Sequence, residues 1–298
     1  MPVNPDVSIV IRTKNEGKTI GRCLQMVYAQ NTTYDVEVIV IDSGSTDDTL
    51  EICRNYPVII HQIPPSDFNF GRTLNLGAEL AQGNYMVALT AHAFPANDNW
   101  LQPLVSTLES DDSVAGAYSR QLPKPGCNPF EAIALMRTFG GTPLTVSKPA
   151  PKAKNVVFSN ASSCLRKDVM ASTAFRELTY AEDRDWARRV VQRGYKIAYV
   201  PESKVFHSHS YNLAQWYRVV EKAGRAFFEI DGDQRGAKAV LRYLFLPSVL
   251  RMYRRYLVSL RNLGLHNTDL HKWAILCLAY SCVRDCGEFV GSRFRRGS

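Results

Sequence analysis

VEVIVIDSGSTDDTLEI, residues 36–52, decides how this chain is read. Val36 to Ile41 is a short run rich in β-branched residues with one charged residue, Glu37, which suits a strand buried on both faces. It ends at Asp42-Ser43-Gly44-Ser45, a turn-forming set, and Thr46 to Cys53 can start a helix. The same order recurs on either side. Upstream, Val7 to Ile11 (VSIVI) reads as a buried strand, followed by a polar turn, Arg12 to Lys18, and a helix-like stretch over about residues 19–30. Downstream lie a short strand at Val58 to Ile60, a helix at Leu74 to Ala81 and another buried strand at Tyr85 to Leu89. Strands alternating with helices predict βαβ units, hence an α/β fold with a central, mostly parallel sheet flanked by helices.

Beyond Leu89 the pattern loosens. Residues 111–160 are rich in Pro and Gly, and Lys148 to Lys154 (KPAPKAK) reads as a loop. Helical spacing returns at Glu182 to Arg193, with Trp186, Val190 and Val191 on one side and Gly194 as its C-cap. Lys196 to Val200 reads as a strand stopped by Pro201, and from Leu213 onward the chain reads as helical. The expected division is a catalytic domain over 1–225 and a basic amphipathic helical extension over 226–298.

The chain has 298 residues, 45% of them hydrophobic and 21% charged, enough apolar content for a substantial core. The formal net charge of +8 bears on partners rather than on fold. Much of the excess lies after residue 235, as in Arg251, Arg254, Arg255 and Arg293, Arg295, Arg296, so a basic segment meeting a surface is expected. These cations are not interleaved with an aromatic sheet face, which argues against nucleic acid. The seven cysteines form no CxxC pair, so a disulfide framework or zinc cluster is not expected, and a reducing cytoplasm fits best. The N-terminus shows no leader pattern. No window reaches the ~18–20 apolar residues of a spanning helix.

Ligands of an open parallel sheet bind beyond the carboxyl ends of its strands. Three polar clusters fall there: Arg12-Thr13-Lys14-Asn15-Glu16, Asp42-Ser43-Gly44-Ser45-Thr46-Asp47, and Thr90-Ala91-His92. Asp42 is a candidate acceptor for a nucleobase or ribose, and its other reading is a helix N-cap, a task open also to Thr46 or Asp47. Glu182 and Asp183 open a helix, where negative charge is favoured, and are candidates for a general base. His207 and His209 alternate along an extended segment, so one of them is expected to face a site, where imidazole binds metals or phosphate oxygens. There is no GxGxxG, P-loop, HExxH or GxSxG.

In combination, five matches carried in order by four segments resemble the family 2 glycosyltransferases, most closely their rhamnosyltransferase-like bacterial members, from about Val7 to about Gly224. They are VSIVIRTKNE, VEVIVIDSGSTDDTLEI, FNFGRTLNLGAELAQGNYMVALTAHAFPANDNWL and AEDRDWARRVVQRGYKIAYVPESKVFHSHS, the last carrying both the base segment and the histidines after it. The resemblance implies a GT-A-type fold and an inverting transfer of a sugar from a dTDP- or UDP-sugar to an acceptor hydroxyl in cell-surface glycan synthesis. It implies Asp183 as base with Glu182 beside it. Arg12, Thr13, Asn15, Glu16, Asp42, Ser43, Gly44 and Ala91 would line the nucleotide pocket, and Arg72 and Asn75 would face the diphosphate or donor sugar. The family's Asp-x-Asp carboxylate is replaced here by Thr90-Ala91-His92. A divalent cation, Mn or Mg, would then be held by His92 with His207 or His209, Mn being the better match for imidazole, or be held mostly by the diphosphate, or be replaced by imidazolium and Arg72.

That departure keeps a second reading open, a catalytically degenerate nucleotide-sugar-binding protein. A nucleotidyltransferase is disfavoured, because RTKNEGKT has a single glycine. Residues 236–298 place Leu, Tyr and Phe beside Arg in helical spacing, which fits helices lying on an anionic membrane, a helical cap or a homodimer interface. A lipid-linked glycan acceptor and a position on the inner face of the cell membrane are the matching expectations.

Overall fold

The computed structural model describes residues 4–150, 152 and 155–293. Among them the chain forms two compact units. The first comprises residues up to Leu122, Phe139–Leu178 and Glu182–His207. The second comprises Pro123–Thr138, Thr179–Ala181 and the chain from Ser208. The expected division at 225/226 falls inside a helix, Leu213–Asp231.

Among the described residues, nine strands lie in the first unit and form one sheet: β1 (Val7–Thr13), β2 (Val36–Asp42), β3 (Ile59–Gln62), β4 (Tyr85–Thr90), β5 (Phe94–Pro95), β6 (Val114–Leu122), β7 (Leu144–Val146), β8 (Ser162–Arg166) and β9 (Lys196–Phe206). The order is β3-β2-β1-β4-β8-β6-β9-β5, with β7 added on β9. The first four strands pair in parallel, as their sequence predicts. Beyond them the sheet is mixed, because β8 runs antiparallel to both β4 and β6. Residues of β1 alternate in destination. Val7, Ile9 and Ile11 join a core with α1 (Gly17–Tyr28) and with a helix over Leu101–Glu109, all at 5% exposure or less. Val10 faces the helix Phe70–Leu80, whose Gly77 is close enough that a Cβ there would meet Val10. Helices thus cover both faces, and the strands need no polar side.

Two elements differ from expectation. β6 lies within the stretch read as irregular. Its Val114-Ala115-Gly116-Ala117 is small because large rings press on it: a Cβ on Gly116 would lie 3.0 Å from the Trp186 ring and 3.2 Å from Phe158. β9 does not stop at Pro201 but runs on to Phe206. The register with β6 jumps from Ser119↔Val200 to Arg120↔Lys204, so the proline sits in a bulge where no ladder N–H is required.

The helices introduced so far are α1, the helix Leu101–Glu109 (α4) and Phe70–Leu80 (α3), with α2 (Thr49–Arg54) between the first and the last of these in sequence. α5 (Pro129–Thr138) belongs to the second unit. α6 (Lys167–Ser172) and α7 (Glu182–Gln192) belong to the first. The remainder of the second unit is helical, as read: α8 (Leu213–Asp231), α9 (Lys238–Leu241), α10 (Leu246–Asn262) and α11 (Asn267–Gly291). α8 begins with a capping box between Asn212 and Gln215 and ends at Gly232 in the left-handed region. α8 and α11 meet along glycine. A Cβ on Gly287 would meet Val220 Cγ2 at 2.4 Å, and one on Gly291 would meet the Glu221 carbonyl oxygen at 2.0 Å. The spacing Gly287-x-x-x-Gly291 is what lets the two backbones approach. A smaller core of Phe130, Ile133, Tyr256, Leu260, Leu270, Ala274 and Cys277 joins α5, α10 and α11. No helix among the described residues is long and apolar enough to cross a membrane.

Candidate active site

The carboxyl ends of β1, β2 and β4 carry the first candidates. The loops after β1 and β2 are laced together. The Asn15 N–H donates to Ser45 Oγ (2.8 Å), the Thr46 N–H to Asn15 Oδ1 (2.8 Å), and the Glu16 N–H to Thr49 Oγ1 (2.8 Å). Asn15 takes a positive φ of 53° to do so. Asp42 is fully buried, and its carboxylate accepts from the Gly44 and Ser45 N–H groups at 3.0 Å and from Ser45 Oγ. It shapes the turn in which Gly44 sits at φ 83°. α2 has Asp48 as its N-cap without a side-chain capping bond, and Asp47 accepts from the Thr49 N–H at 3.1 Å. Ser43 donates to the Thr13 carbonyl through its N–H (3.1 Å), and the Ala91 N–H donates to the Arg12 carbonyl (3.3 Å), so the three strand ends are tied edge to edge. Thr13 Oγ1 and Thr90 Oγ1 are buried at these ends without a protein partner, an unusual cost that a polar ligand would remove.

Arg12 leaves this rim for the carboxylates of α7. Its guanidinium donates to the Phe70 carbonyl (3.1 Å), lies 5.5 Å from the Phe70 ring centre, and pairs with Glu182 at 4.0 Å, both side chains 8% exposed. Burial comes first, then the neighbouring Asp183 charge, in pushing Glu182 up to about 7, with Arg12 opposing. Burial also raises Asp183. Asp183 is half-buried, accepts from the Arg184 N–H (2.7 Å) and lies at the edge of reach of the Asn160 N–H (3.4 Å). Immediately before the pair, Ala181 holds φ 62°, a strained value for a residue with a Cβ, and such strain gathers where a site needs a fixed geometry.

The histidines form the other cluster of this unit. His92 Nδ1 is 2.8 Å from Glu16 Oε1, and His207 Nδ1 is 2.8 Å from Gln121 Oε1. Their rings stack at 5.2 Å, and each offers a ligand atom within 4.8 Å of the other's. The chain leaves β9 at Phe206, so the strict alternation expected of His207 and His209 does not hold. His209 belongs to the second unit, where its N–H donates to Glu131 Oε1 (2.7 Å) and its ring stacks on Tyr211 at 4.9 Å.

A match to the family model of glycosyl transferase family 2 spans residues 8–157. Curated relatives include the O-antigen chain rhamnosyltransferase WbaN of Salmonella anatum, 36% identical over 220 residues, which cover 72% of this chain and 70% of that protein. RfbN of Salmonella typhimurium, also an O-antigen chain rhamnosyltransferase, is 34% identical over 212 residues, 69% of this chain and 67% of its own. The chain belongs to glycosyl transferase family 2. Solved structures agree on the fold. A mannosyltransferase of Pyrobaculum calidifontis in complex with GDP-Man and Mn2+ matches this glycosyltransferase with a TM-score of 0.62 at 17% identity, over 96% of this chain and 88% of that one. TarS of S. aureus in complex with UDP matches at 0.52 and 16%, over 95% and 90%.

Within the transferase, Arg72 and Asn75 are engaged with residues 175–177. Arg72 is paired through Nε (3.0 Å) and Nη2 with Glu177. Asn75 donates to the Phe175 carbonyl (2.9 Å) and accepts from the Phe175 N–H (2.9 Å). Asn69, which caps α3, also donates to the Leu178 carbonyl (3.2 Å). Two side chains of α3 and its N-cap residue thus clamp residues 175–178, a few residues before Glu182. Sequence reasoning missed Asn160 beside Asp183, Gln121 beside His207 and Glu177 against Arg72. Each is distant in sequence from its partner, and no local pattern marks it.

The carboxylate pair has a consequence in pH. Glu182 is raised above its unfolded value, so its contribution to stability is complete below about 4.5 and is lost as pH rises through about 7. Catalysis by an ionised base runs the other way. Burial raises Asp183, so the acid limb of the kcat/KM profile is expected above the ordinary aspartate range, and Glu182→Gln, which removes the neighbouring charge, is expected to move it to lower pH. A limb that stays in place in Glu182→Gln separates the pair from the chemistry.

Proposed function

We propose that this glycosyltransferase inverts configuration, moving a sugar from a dTDP- or UDP-linked donor to an acceptor hydroxyl in bacterial cell-surface glycan synthesis. The observation that carries the reading is the half-buried Asp183 at the opening of α7, beside Glu182 and in the charge field of Arg12 at the end of β1. Only the proton acceptor need touch the acceptor substrate. The Asp183 carboxylate takes the hydroxyl proton as that oxygen attacks the anomeric carbon. The bond from that carbon to the nucleoside diphosphate breaks, and its electron pair leaves with the diphosphate. Glu182, held against Arg12, fixes the local charge, while Thr13, Asn15, Glu16, Ser43, Gly44 and Ala91 line the nucleotide end, with Asp42 setting the loop they share. Arg72 and Asn75 act by holding 175–178. The two Salmonella relatives make dTDP-rhamnose the first donor to try and a lipid-linked O-antigen-type glycan, met at an anionic membrane, the first acceptor.

The residues present fit a divalent cation. Glu16 carboxylate is an acceptor only, so the shared hydrogen sits on His92 Nδ1 and the lone pair on Nε2. Gln121 Oε1 imposes the same tautomer on His207. Imidazole ligands are commonly oriented in this way, with an oxygen behind one nitrogen and metal before the other. His92 and His207 would hold Mn in preference to Mg. The cation would supply positive charge against the departing diphosphate.

A thermal-shift panel of UDP-, dTDP- and GDP-sugars, each with EDTA, Mg or Mn, tests the donor site. Ligand at ~100 times its Kd stabilises the native state by roughly 2.7 kcal/mol. One nucleotide class is expected to raise Tm, more with Mn than with EDTA, and His92→Ala is expected to abolish the Mn increment while leaving the fold intact. No shift with any nucleotide would favour the degenerate reading that the Thr90-Ala91-His92 sequence keeps open.

A further inference from the structure

The second unit presents an apolar corner with a basic flank. Where α9 gives way to α10, Leu241, Leu244, Phe245 and Leu246 are 56%, 84%, 60% and 66% exposed, and Leu250 follows at 47%. Single exposed apolar side chains are ordinary, but five within ten residues of chain make a patch that asks for a partner. Along α10, Leu246, Leu250, Arg254 and Val258 fall four apart on one exposed stripe, with Arg251 and Arg255 beside it. Arg254 is about 12 Å along the helix from Leu246 at a rise of ~1.5 Å per residue. The opposite face of α10 is committed, since Tyr256 and Leu260 are buried against α5 and α11.

Charge selects the partner. Between Asp233 and Asp269 the chain has seven Lys and Arg and no Asp or Glu. Arg235 and Arg242 of these are tied to Asp285. Lys238, Arg251, Arg254, Arg255 and Arg261 are exposed. A second copy of this face would bring its own arginines against these, and like charges brought together oppose pairing. A surface that accepts apolar side chains at a depth of about 5–10 Å and offers negative charge at its rim is an anionic phospholipid bilayer.

We propose that the Leu241–Leu250 corner inserts into the headgroup layer of an anionic bilayer, with Arg251, Arg254 and Arg255 at the level of the lipid phosphates. The inference rests on the reading of the acceptor as membrane-borne, and it names the element that does the docking.

The test is co-sedimentation of the full chain with vesicles of phosphatidylcholine alone and of phosphatidylcholine mixed with phosphatidylglycerol, at low and high salt. Binding is expected only to the mixed vesicles and is expected to weaken with salt. Arg254→Glu/Arg255→Glu and, at unchanged charge, Leu244→Ser/Phe245→Ser are each expected to weaken it tenfold or more, with Tm and the donor-nucleotide shift retained. These sites are exposed, so folding is not at stake. Equal binding to neutral vesicles, or full binding by the Leu244→Ser/Phe245→Ser variant, overturns the proposal. So does sedimentation-velocity evidence of a dimer that this variant dissociates, because the corner is then covered by a second copy. A retained nucleotide shift alongside lost or absent vesicle binding separates failure here from failure of the transferase reading.

Discussion

Asp183→Asn is expected to lower kcat by on the order of a thousandfold while leaving the thermal shift with the donor nucleotide unchanged. A positioned base contributes about 10²- to 10⁴-fold. The amide keeps the shape of the side chain and its acceptance of the Arg184 N–H, but it cannot take the proton of the acceptor hydroxyl. The amide is also uncharged, so the burial that raises Asp183 costs the variant nothing. Asp183→Asn is therefore expected to melt at or above the parent temperature at pH 8, which separates lost chemistry from lost fold. Single-turnover rates with a fixed acceptor make the measurement direct. Activity within tenfold of the parent would place the base elsewhere.

The second large effect is on stability. Asp285 is fully buried in α11, and Arg235, Arg242 and Arg284 converge on it with the Tyr243 hydroxyl, which donates at 2.7 Å. Burial alone would raise this carboxyl, but Arg284, Tyr243 and Arg235 together hold it below its ordinary value. Asp285→Ala leaves three guanidinium groups around an empty place and is expected to cost about 3 kcal/mol, as breaking a buried pair by removing one partner does. The depressed value fixes the sign in pH: the contribution is present above the unfolded pKa and is lost as pH falls through the folded one. Urea midpoints from pH 7 down into the acid range should fall in the parent, and part of that slope should vanish in Asp285→Ala. An alanine variant as stable as the parent at pH 7 would show that the cluster is solvated well enough to be neutral in energy.

The parallel half of the sheet was legible because β1, β2 and β4 are buried on both faces, and an unbroken β-branched run has few other uses. α7 was equally plain, its acidic first turn and apolar face being local properties. β6 was not, since its small residues are chosen by the Trp186 and Phe158 rings that press on them, and that pressure comes from segments more than 40 residues away in sequence. Pro201 misled for a related reason: whether a proline ends a strand depends on the neighbouring strand supplying a bulge. At the candidate site, residue identities marked clusters at the strand ends, and the partners of each side chain are set by the fold. Asp42 reads as a ligand from its place at a strand end, and its contacts to Gly44 and Ser45 emerge only in the fold. Arg72 and Asn75 read as facing the diphosphate and are engaged with residues 175–178.

On the proposed roles, that clamp would tie two substrates to one piece of chain. α3 packs on β1 through Gly77 and Val10, and the residues it grips lead directly into α7, which opens with the proposed base Asp183. Substitutions in α3 chosen to accept another donor would therefore be felt by the acceptor as well, as a change in kcat alongside KM. Exchange of donor specificity among relatives by grafting the loops after β1 and β2 alone should be better tolerated than grafting that includes α3, unless residues 175–178 travel with it.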